Sequence, residues 1–280
     1  MNKANRVLLL IRFGYEGHRF HGVPRQPGLP TVAEAMKARL KDATGLPPKA
    51  LVFSARTDTG VSALSNVATC WYPGPMNVTH ICERLAVHRD DGLFGLQVTQ
   101  APYTVHARGI SAGKRYRYTL ETGHDEDDRT NPVVWELYPK IDHSQLHQAA
   151  EALMGTHDYS SFRASGCTAS STVKNVWHIG IAGPFPTGRS TERWFIEFEG
   201  DAFLRKMIRI LVGTMVEVGT GWRAVTDIPK ILAARDRRRA GITAPARGLC
   251  LSQVGSKYPE DDSERIFAPH EGETPLSNPT

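Results

Sequence analysis

The sequence predicts a mixed α/β fold, because segments with two different hydrophobic periods alternate along the chain. Short apolar runs at residues 7–13 and 49–53 have the length of buried strands. Residues 115–120 alternate charged or polar side chains with aromatic or apolar ones, which is typical of a strand exposed on one face. The segments that follow Thr31 and His143 instead place apolar residues at helical spacing. With 280 residues the chain is long enough for one large domain or two modest ones.

In chain order, the first predicted helix has Thr31 as its N-cap and Glu34 three residues later, a capping box. We expect Pro47 and Pro48 to end that helix. Further strands are predicted at residues 93–98, 173–182 and 193–199, with a last strand that ends at residue 254. Further helices are predicted at residues 80–87, 143–154, 201–219 and 228–235. In the third of these, we expect a buried stripe formed by Phe203, Met207, Ile210, Leu211 and Val218.

The composition is that of an ordinary globular protein, with 40% hydrophobic and 22% charged residues. No apolar run approaches the roughly 18 residues that a membrane span needs. The apolar run at residues 7–11 lacks a small-residue cleavage site, so we interpret it as a strand rather than a signal peptide and expect a cytoplasmic protein. The four cysteines form no C-x-x-C pair, so we expect neither a metal site nor a disulfide framework.

The charge distribution favours an anionic partner. The formal net charge is +5, and arginines cluster at residues 235–239 while Lys114, Arg115 and Arg117 lie close together. Acidic residues concentrate elsewhere, at residues 125–128 and 260–262. A solvated face is the commoner outcome for such clusters. Their segregation nevertheless leaves a basic surface that suits a polyanion.

The strand predicted at residues 49–53 is followed by Arg56, Thr57 and Asp58, with Gly60 close behind. An ordinary turn is one interpretation, because Asp and Thr hydrogen-bond their own backbone and Gly allows a positive φ. A strand end is also where a scaffold holds a carboxylate rigidly above a cleft. Asp58 is therefore a candidate catalytic residue.

Residues 56–63, R-T-D-T-G-V-S-A, resemble the R-T-D-A-G-V-H-A signature of the tRNA pseudouridine synthases of the type A (38–40) family. In that family the Asp is the catalytic nucleophile, so the resemblance implies that role for Asp58. Arg56 would either fill the gap left by a flipped nucleotide or hold the loop. Thr59 and Ser62 depart from the Ala and His that the family has at these positions.

A second resemblance lies at residues 14–26, which are similar to the family's Y-D-G-x-x-F-x-G-W-Q-R-Q segment. Arg25 and Gln26 are retained and are expected to contact RNA. Glu16 replaces the family's Asp, and Val23-Pro24 replace its Trp-Gln. These departures fall where the substrate is expected to touch the protein.

A third resemblance, at residues 103–118, is to the family's F-H-A-R-x-S-A-x-x-R-x-Y-R-Y element, with the spacing shortened by one residue. It implies that Tyr116 stacks on the target base beside the nucleophile and that Arg108 binds substrate. A flipped uracil needs an aromatic or apolar platform, which fits this assignment. Tyr118 lies two residues further and is expected to pack beside Tyr116 on the same face of the strand.

Three more segments follow in the family's order. Residues 155–163 are close to G-x-H-D-F-S-S-F-R, where we interpret His157 and Asp158 as a turn cluster that orders a loop. Arg209 matches the Arg of the F-L-x-x-M-V-R-x-x-V-G helix, which would keep Asp58 ionised and oriented. Arg205 and Lys206 either snorkel at the surface or meet phosphates. Residues 239–251 resemble R-x-x-A-G-x-T-A-P-x-x-G-L-x-L and are expected to close the site.

The resemblance implies a long, mixed but mainly antiparallel sheet flanked by helices, with the active-site cleft between two similar halves. We place these halves at residues 1–104 and 105–258. Residues 259–280 are acidic and Pro-rich, and we expect them to be disordered. The family also implies a homodimer that binds tRNA and isomerises uridine in the anticodon stem-loop, at positions 38–40, without cofactor or metal. Asp58 would either attack the sugar or remove its C2′ proton.

Other functions stay open at this point. The departures at Val23-Pro24, Ser62 and Val87, where the family has an Asn nearby, are compatible with a catalytically silent RNA-binding relative or with a synthase for another RNA uridine. The retained Asp58, Tyr116 and Arg209 count against a silent protein. A hydrolase that combines Asp58 with His106 or His157 is a further alternative.

Overall fold

The computed structural model describes residues 6–87, 89–123, 133–137, 140–187 and 191–256. They form a ten-stranded sheet with the strand order β4-β1-β3-β10-β5-β9-β8-β7, in which β2 also pairs with β3 and β6 with β5. The strands are β1 Arg6–Tyr15, β2 Lys49–Phe53, β3 Ser62–Pro73, β4 Leu93–Ala101, β5 Ser111–Thr122, β6 Trp135–Leu137, β7 Gly155–Asp158, β8 Val173–Pro186, β9 Glu192–Gly200 and β10 Leu249–Ser256. The parallel pairs are β3–β10 and β5–β6, and the other described pairs are antiparallel. The predicted mixed α/β class with a mainly antiparallel sheet is confirmed.

Five α-helices accompany the sheet within the described residues. They are α1 Val32–Thr44, α2 Val78–Ala86, α3 His143–Leu153, α4 Met207–Gly219 and α5 Asp227–Ala234. Helices α1 and α2 contact each other and β4, whereas α3 contacts α4, α5 and β8. None of these helices is long and apolar enough to cross a membrane.

Helix α1 begins as predicted, because the Thr31 side chain accepts a hydrogen bond from the backbone N–H of Glu34. The helix ends earlier than predicted. Gly45 adopts a left-handed conformation with φ of 75° and its N–H donates to the carbonyl of Lys41. Glycine adopts this conformation without steric cost, so the C-cap rather than Pro47 ends the helix.

The prediction of a buried strand at residues 49–53 is wrong in its burial. Among the described residues strand β2 pairs only with β3. Lys49 and Ala50 are exposed, and Phe53 is the one buried residue of this strand. The C-terminal strand β10 takes the neighbouring place on β3, at Ser62 and Ala63. An apolar run cannot reveal that a strand almost 200 residues later will occupy the more central position.

The prediction that a helix begins at residue 201 is also wrong. Helix α4 begins at Met207, because Lys206 has a left-handed backbone with φ of 59° and a helix cannot continue through it. Phe203 therefore does not belong to the buried helical stripe, whereas Met207, Ile210, Leu211 and Val218 do. Residues 201–206 form an irregular segment between β9 and α4. The acidic cluster at residues 125–128 and the tail at 259–280 lie outside the described residues.

Candidate active site

The loop between β2 and β3 carries Arg56, Thr57 and Asp58, and a buried polar network fixes its first half. Asn66 accepts hydrogen bonds from the backbone N–H groups of Ala55 at 3.2 Å and Val67 at 2.8 Å, and donates to the Ala55 carbonyl at 3.0 Å. The Tyr15 hydroxyl lies 2.9 Å from the Thr57 hydroxyl. Asn66 and Tyr15 are almost fully buried. This network holds the backbone just before Asp58.

We expect Tyr15→Phe to lower kcat roughly tenfold with little change in KM, because a loosened loop misplaces Asp58. The free energy of unfolding should fall by about 1–3 kcal/mol, since Thr57 loses a buried partner. Tyr159→Phe is the matched control. Its hydroxyl is also buried and donates to the carbonyls of Leu153 at 2.7 Å and Gly155 at 3.1 Å, away from the cleft. Urea unfolding and steady-state kinetics of both variants would contradict the expectation if kcat fell equally.

The second half of the loop is a tight turn. The N–H of Val61 donates to the carbonyl of Asp58 at 3.2 Å, and Gly60 has a φ of 80°. The N–H of Gly60 also donates to the Phe20 carbonyl at 3.3 Å. The local turn chemistry expected of Asp and Gly is therefore present, and the turn presents the Asp58 side chain to a cleft.

Val23-Pro24, where this chain departs from the family's Trp-Gln, packs against this loop. Val23 is buried, and its N–H donates to the Thr57 carbonyl at 3.3 Å. Gly22 has a φ of 89°, and a Cβ there would lie 2.9 Å from the same carbonyl oxygen. Pro24 lines the cleft. Ser62, another position at which this chain departs from the family's signature, accepts a hydrogen bond from the N–H of Gly17 at 2.9 Å and so ties the two segments together.

Strand β10 brings the distant parts of the site together. Leu251 pairs with Ala63 at the start of β3 and with Tyr116 on β5. The loop that ends at β3 therefore lies next to the strand that carries Tyr116. Cys250 is paired on both sides in the same way, with Ser62 on β3 and Arg117 on β5.

Arg209 lies in the first turn of α4 and faces Asp58. Its Nη1 is 3.4 Å from Asp58 Oδ2, and its Nε donates to the Ala244 carbonyl at 2.7 Å. The side chains are 13% and 25% exposed for Arg209 and Asp58, so both are largely shielded from water. The carbonyl of Ala244 fixes the guanidinium while one nitrogen faces the carboxylate, which strengthens the attraction between the two charges.

Tyr116 is buried and lines the same cleft as Asp58. Burial, with smaller contributions from Tyr15 and Asp58, raises the pKa of Tyr116 above its ordinary value. The phenol therefore stays protonated at physiological pH. Tyr118 is fully buried, donates to the Pro245 carbonyl at 2.8 Å and lies edge-on to Trp135.

The cleft has a volume of about 610 Å³ and contains most of the residues singled out from the sequence. The predicted residues that line it are Gln26, Arg56, Asp58, Tyr116, Arg205 and Lys206. Arg56 is exposed and has no ion-pair partner among the described residues. Within those residues, no group of three or more His, Cys, Asp and Glu side chains is arranged to hold a metal ion.

Two predicted substrate-binding residues do not line the cleft. Arg25 is exposed and its Nε lies 3.2 Å from Glu34 Oε1. Arg108 is exposed in the loop before β5. Substrate binding by Arg25 and Arg108 stays a prediction. Any contact that these two residues make with the substrate would lie outside the cleft.

Neither histidine of the hydrolase alternative reaches the cleft. His106 is exposed in the loop before β5, and His157 Nε2 donates to the Met154 carbonyl at 2.8 Å. Asp158 accepts hydrogen bonds from the backbone N–H and hydroxyl of Ser160, which lower the pKa of Asp158. The interpretation of this pair as a loop-ordering cluster fits these contacts, although His157 and Asp158 themselves belong to the short strand β7.

The cleft also contains residues that sequence reasoning missed. Phe203 and Leu204 line it from the irregular segment before α4, and residues 166–169 line it from another loop. His21 is a further lining residue, and its Nδ1 is buried without a hydrogen-bond partner. The apolar spacing of residues 203–218 assigned Phe203 to a helix, and residues 166–169 carry no pattern that indicates a site.

Comparisons with known proteins converge on one family. A family model described as tRNA pseudouridine synthase matches residues 149–259. The chain is 35% identical over 249 residues to a protein of Syntrophotalea carbinolica, covering 89% of this chain and 95% of the relative. It is 33% identical to a protein of Acetivibrio thermocellus and 32% identical to one of Geotalea uraniireducens, with 89% of this chain and 98% of each relative covered. All three relatives are named tRNA pseudouridine synthase A.

Proposed function

The chain belongs to the tRNA pseudouridine synthase A family, and on that premise we propose that it isomerises uridines of the anticodon stem-loop, at tRNA positions 38–40, with Asp58 as nucleophile. The pseudouridine synthase activity follows from the family. The single observation that supports this site is the convergence of Asp58, Tyr116 and Arg209 from three distant parts of the chain: Asp58 and Tyr116 line one cleft, and Arg209 contacts Asp58 from α4.

The reaction needs no net oxidant or reductant, because uridine and pseudouridine are isomers. The bond between C1′ and N1 breaks, the uracil turns, and C5 joins C1′. The hydrogen on C5 is lost and N1 gains a proton. The Asp58 carboxylate begins the reaction at the sugar, either by attack on C1′ or by removal of the C2′ proton. Both routes require an ionised carboxylate held close to the ribose.

Arg209 acts through Asp58. Its guanidinium is anchored on the Ala244 carbonyl and orients the carboxylate. Tyr116 provides the surface on which the detached uracil turns, which suits a protonated and largely buried phenol ring. Arg56 projects into the cleft and either fills the gap left by the flipped nucleotide or holds the loop.

Gln26, Arg205 and Lys206 line the cleft at positions that suit contacts to the RNA backbone. Arg25 and Arg108 are exposed and would bind RNA further out. Because cations supply much of the affinity for a polyanion, tRNA binding should weaken steeply with salt. We also propose a cytoplasmic homodimer whose chains divide into halves at residues 1–104 and 105–258.

The position of the modified uridine is tested with matched transcripts. One tRNA transcript carries uridines at positions 38–40, and a second carries cytidines there with compensating changes that keep the stem paired. Both are incubated with the protein and mapped by carbodiimide treatment and primer extension. We expect pseudouridine only in the first transcript and only at these positions. Pseudouridine elsewhere would refute the proposed position, and binding without any pseudouridine in either transcript would favour a catalytically silent RNA-binding protein.

A further inference from the structure

We propose that Phe203 contacts the target base and forms, with Tyr116, a two-walled aromatic slot for the detached uracil. This inference rests on the proposed function, in which Tyr116 receives that base. Phe203 is partly exposed, lines the cleft, and lies outside helix α4, although the apolar spacing predicts that it belongs to that helix. A side chain that only filled the core would be fully buried, whereas Phe203 packs against the core and also lines the cleft.

The two rings meet at a right angle. Their centroids are 5.5 Å apart and their planes differ by 85°, the favourable edge-to-face arrangement of aromatic pairs. Perpendicular rings form a corner, so a planar base that lies against one ring is bordered by the other. Aromatic side chains commonly hold unstacked bases in this way because every base presents a flat π-face.

The protein holds Phe203 in place on both sides. Asp201 accepts hydrogen bonds from the backbone N–H groups of Asn175 at 3.1 Å and Ala202 at 2.6 Å. At the other end, the carbonyl of Arg205 accepts from the N–H of Ala164 at 3.0 Å. The segment is therefore irregular but anchored, and its ring orientation is preorganised rather than created by the substrate.

Gly200 provides the room for this ring. A Cβ at residue 200 would lie 3.0 Å from Phe203 Cζ and 2.7 Å from the Asn175 carbonyl oxygen. A larger residue at position 200 would displace either the Phe203 ring or the backbone near the start of β8. The close approach of the β9 backbone to the Phe203 ring is thus a second feature that fixes the geometry of the aromatic slot.

Replacement of the ring tests the slot. We expect Phe203→Leu to lower kcat/KM roughly 10–100-fold, mainly through kcat, because the base loses one wall while the phosphates keep their contacts. Phe203→Tyr keeps the ring and should retain activity within about threefold. Phe195→Leu is the control. Phe195 is a partly exposed aromatic residue on β9. The centroid of its ring is 5.9 Å from that of Phe185, and it lies outside the cleft. Its removal should change kcat/KM less than about twofold.

A zero-length crosslink tests contact directly and does not depend on how well a variant folds. A transcript with 4-thiouridine at the target position is bound to the wild-type protein, irradiated at long wavelength and digested with trypsin. We expect adducts on the peptide of residues 194–205, which contains Phe203. The inference is overturned if adducts form elsewhere in the cleft but not on this peptide, or if Phe203→Leu keeps wild-type kcat.

The two proposals fail in different ways. A wild-type protein that makes no pseudouridine at positions 38–40 refutes the proposed function. If the wild type is active and Tyr116→Ala is inactive, the proposed function stands, and a fully active Phe203→Leu variant then refutes only the role of Phe203.

Discussion

Asp58→Asn should abolish pseudouridine formation, with kcat at least about 10³-fold below wild type, while the protein still folds and binds tRNA. The amide has the size of the carboxylate but can neither attack the sugar nor remove its proton. Binding should persist, because the cations in and around the cleft supply affinity independently of this group. The free energy of unfolding should change by less than about 1 kcal/mol, since the distance of 3.4 Å between Arg209 and Asp58 is long for a hydrogen-bonded ion pair. Single-turnover assays measure pseudouridine formation, and filter binding measures the affinity for tRNA.

The matched control is Asp91→Asn. Asp91 is 30% exposed and its carboxylate lies 2.6 Å from the guanidinium of Arg39, outside the cleft. Both substitutions therefore remove one carboxylate charge beside one buried arginine. Asp91→Asn should keep kcat within about twofold. Equal activity of the two variants would refute the assignment of Asp58, as would an Asp58→Asn protein that retains more than about a tenth of wild-type kcat.

The local elements were predictable because each depends on neighbouring residues. Thr31 begins α1 as its side-chain chemistry requires, and the alternation at residues 115–120 falls within β5. The motif around Asp58 also placed a carboxylate in a cleft, because the turn formed by Asp58 and Gly60 is local. These predictions needed no knowledge of what lies next to each segment in space.

The contacts that complete the site were not predictable from local patterns. Leu251 joins the Asp58 loop to Tyr116 across long sequence separations, and no periodicity encodes that pairing. The positive φ of Lys206 prevents the helix from beginning before Met207 and leaves Phe203 in the irregular segment that lines the cleft, although lysine is not a residue type that indicates such a break. The apolar spacing before Met207 is compatible with a helix, and only the tertiary contacts of residues 201–206 decide against it.

Arg209→Lys should lower kcat roughly 10²–10³-fold with little change in KM for tRNA. The guanidinium makes two contacts in different directions, with Nε on the Ala244 carbonyl and Nη1 facing Asp58. A lysine ammonium is a single point and cannot hold both partners in this geometry. The charge is kept, so any loss reports orientation of the carboxylate rather than the loss of a positive charge. Arg209→Gln removes the charge as well and should lower kcat further.

Arg39→Lys separates this effect from general destabilisation. Arg39 is also buried and also bridges a carboxylate and backbone carbonyls, those of Leu85 at 3.2 Å and Val87 at 2.9 Å, but it lies away from the cleft. Both lysine variants should unfold more easily, by about 1–3 kcal/mol, because buried carbonyls lose donors. Only Arg209→Lys should lose kcat per folded molecule. Urea unfolding gives the folded fraction of each variant, and the measured kcat is divided by that fraction. If Arg39→Lys lost kcat to the same extent, the defect would be one of folding, and Arg209 would have no positioning role at Asp58.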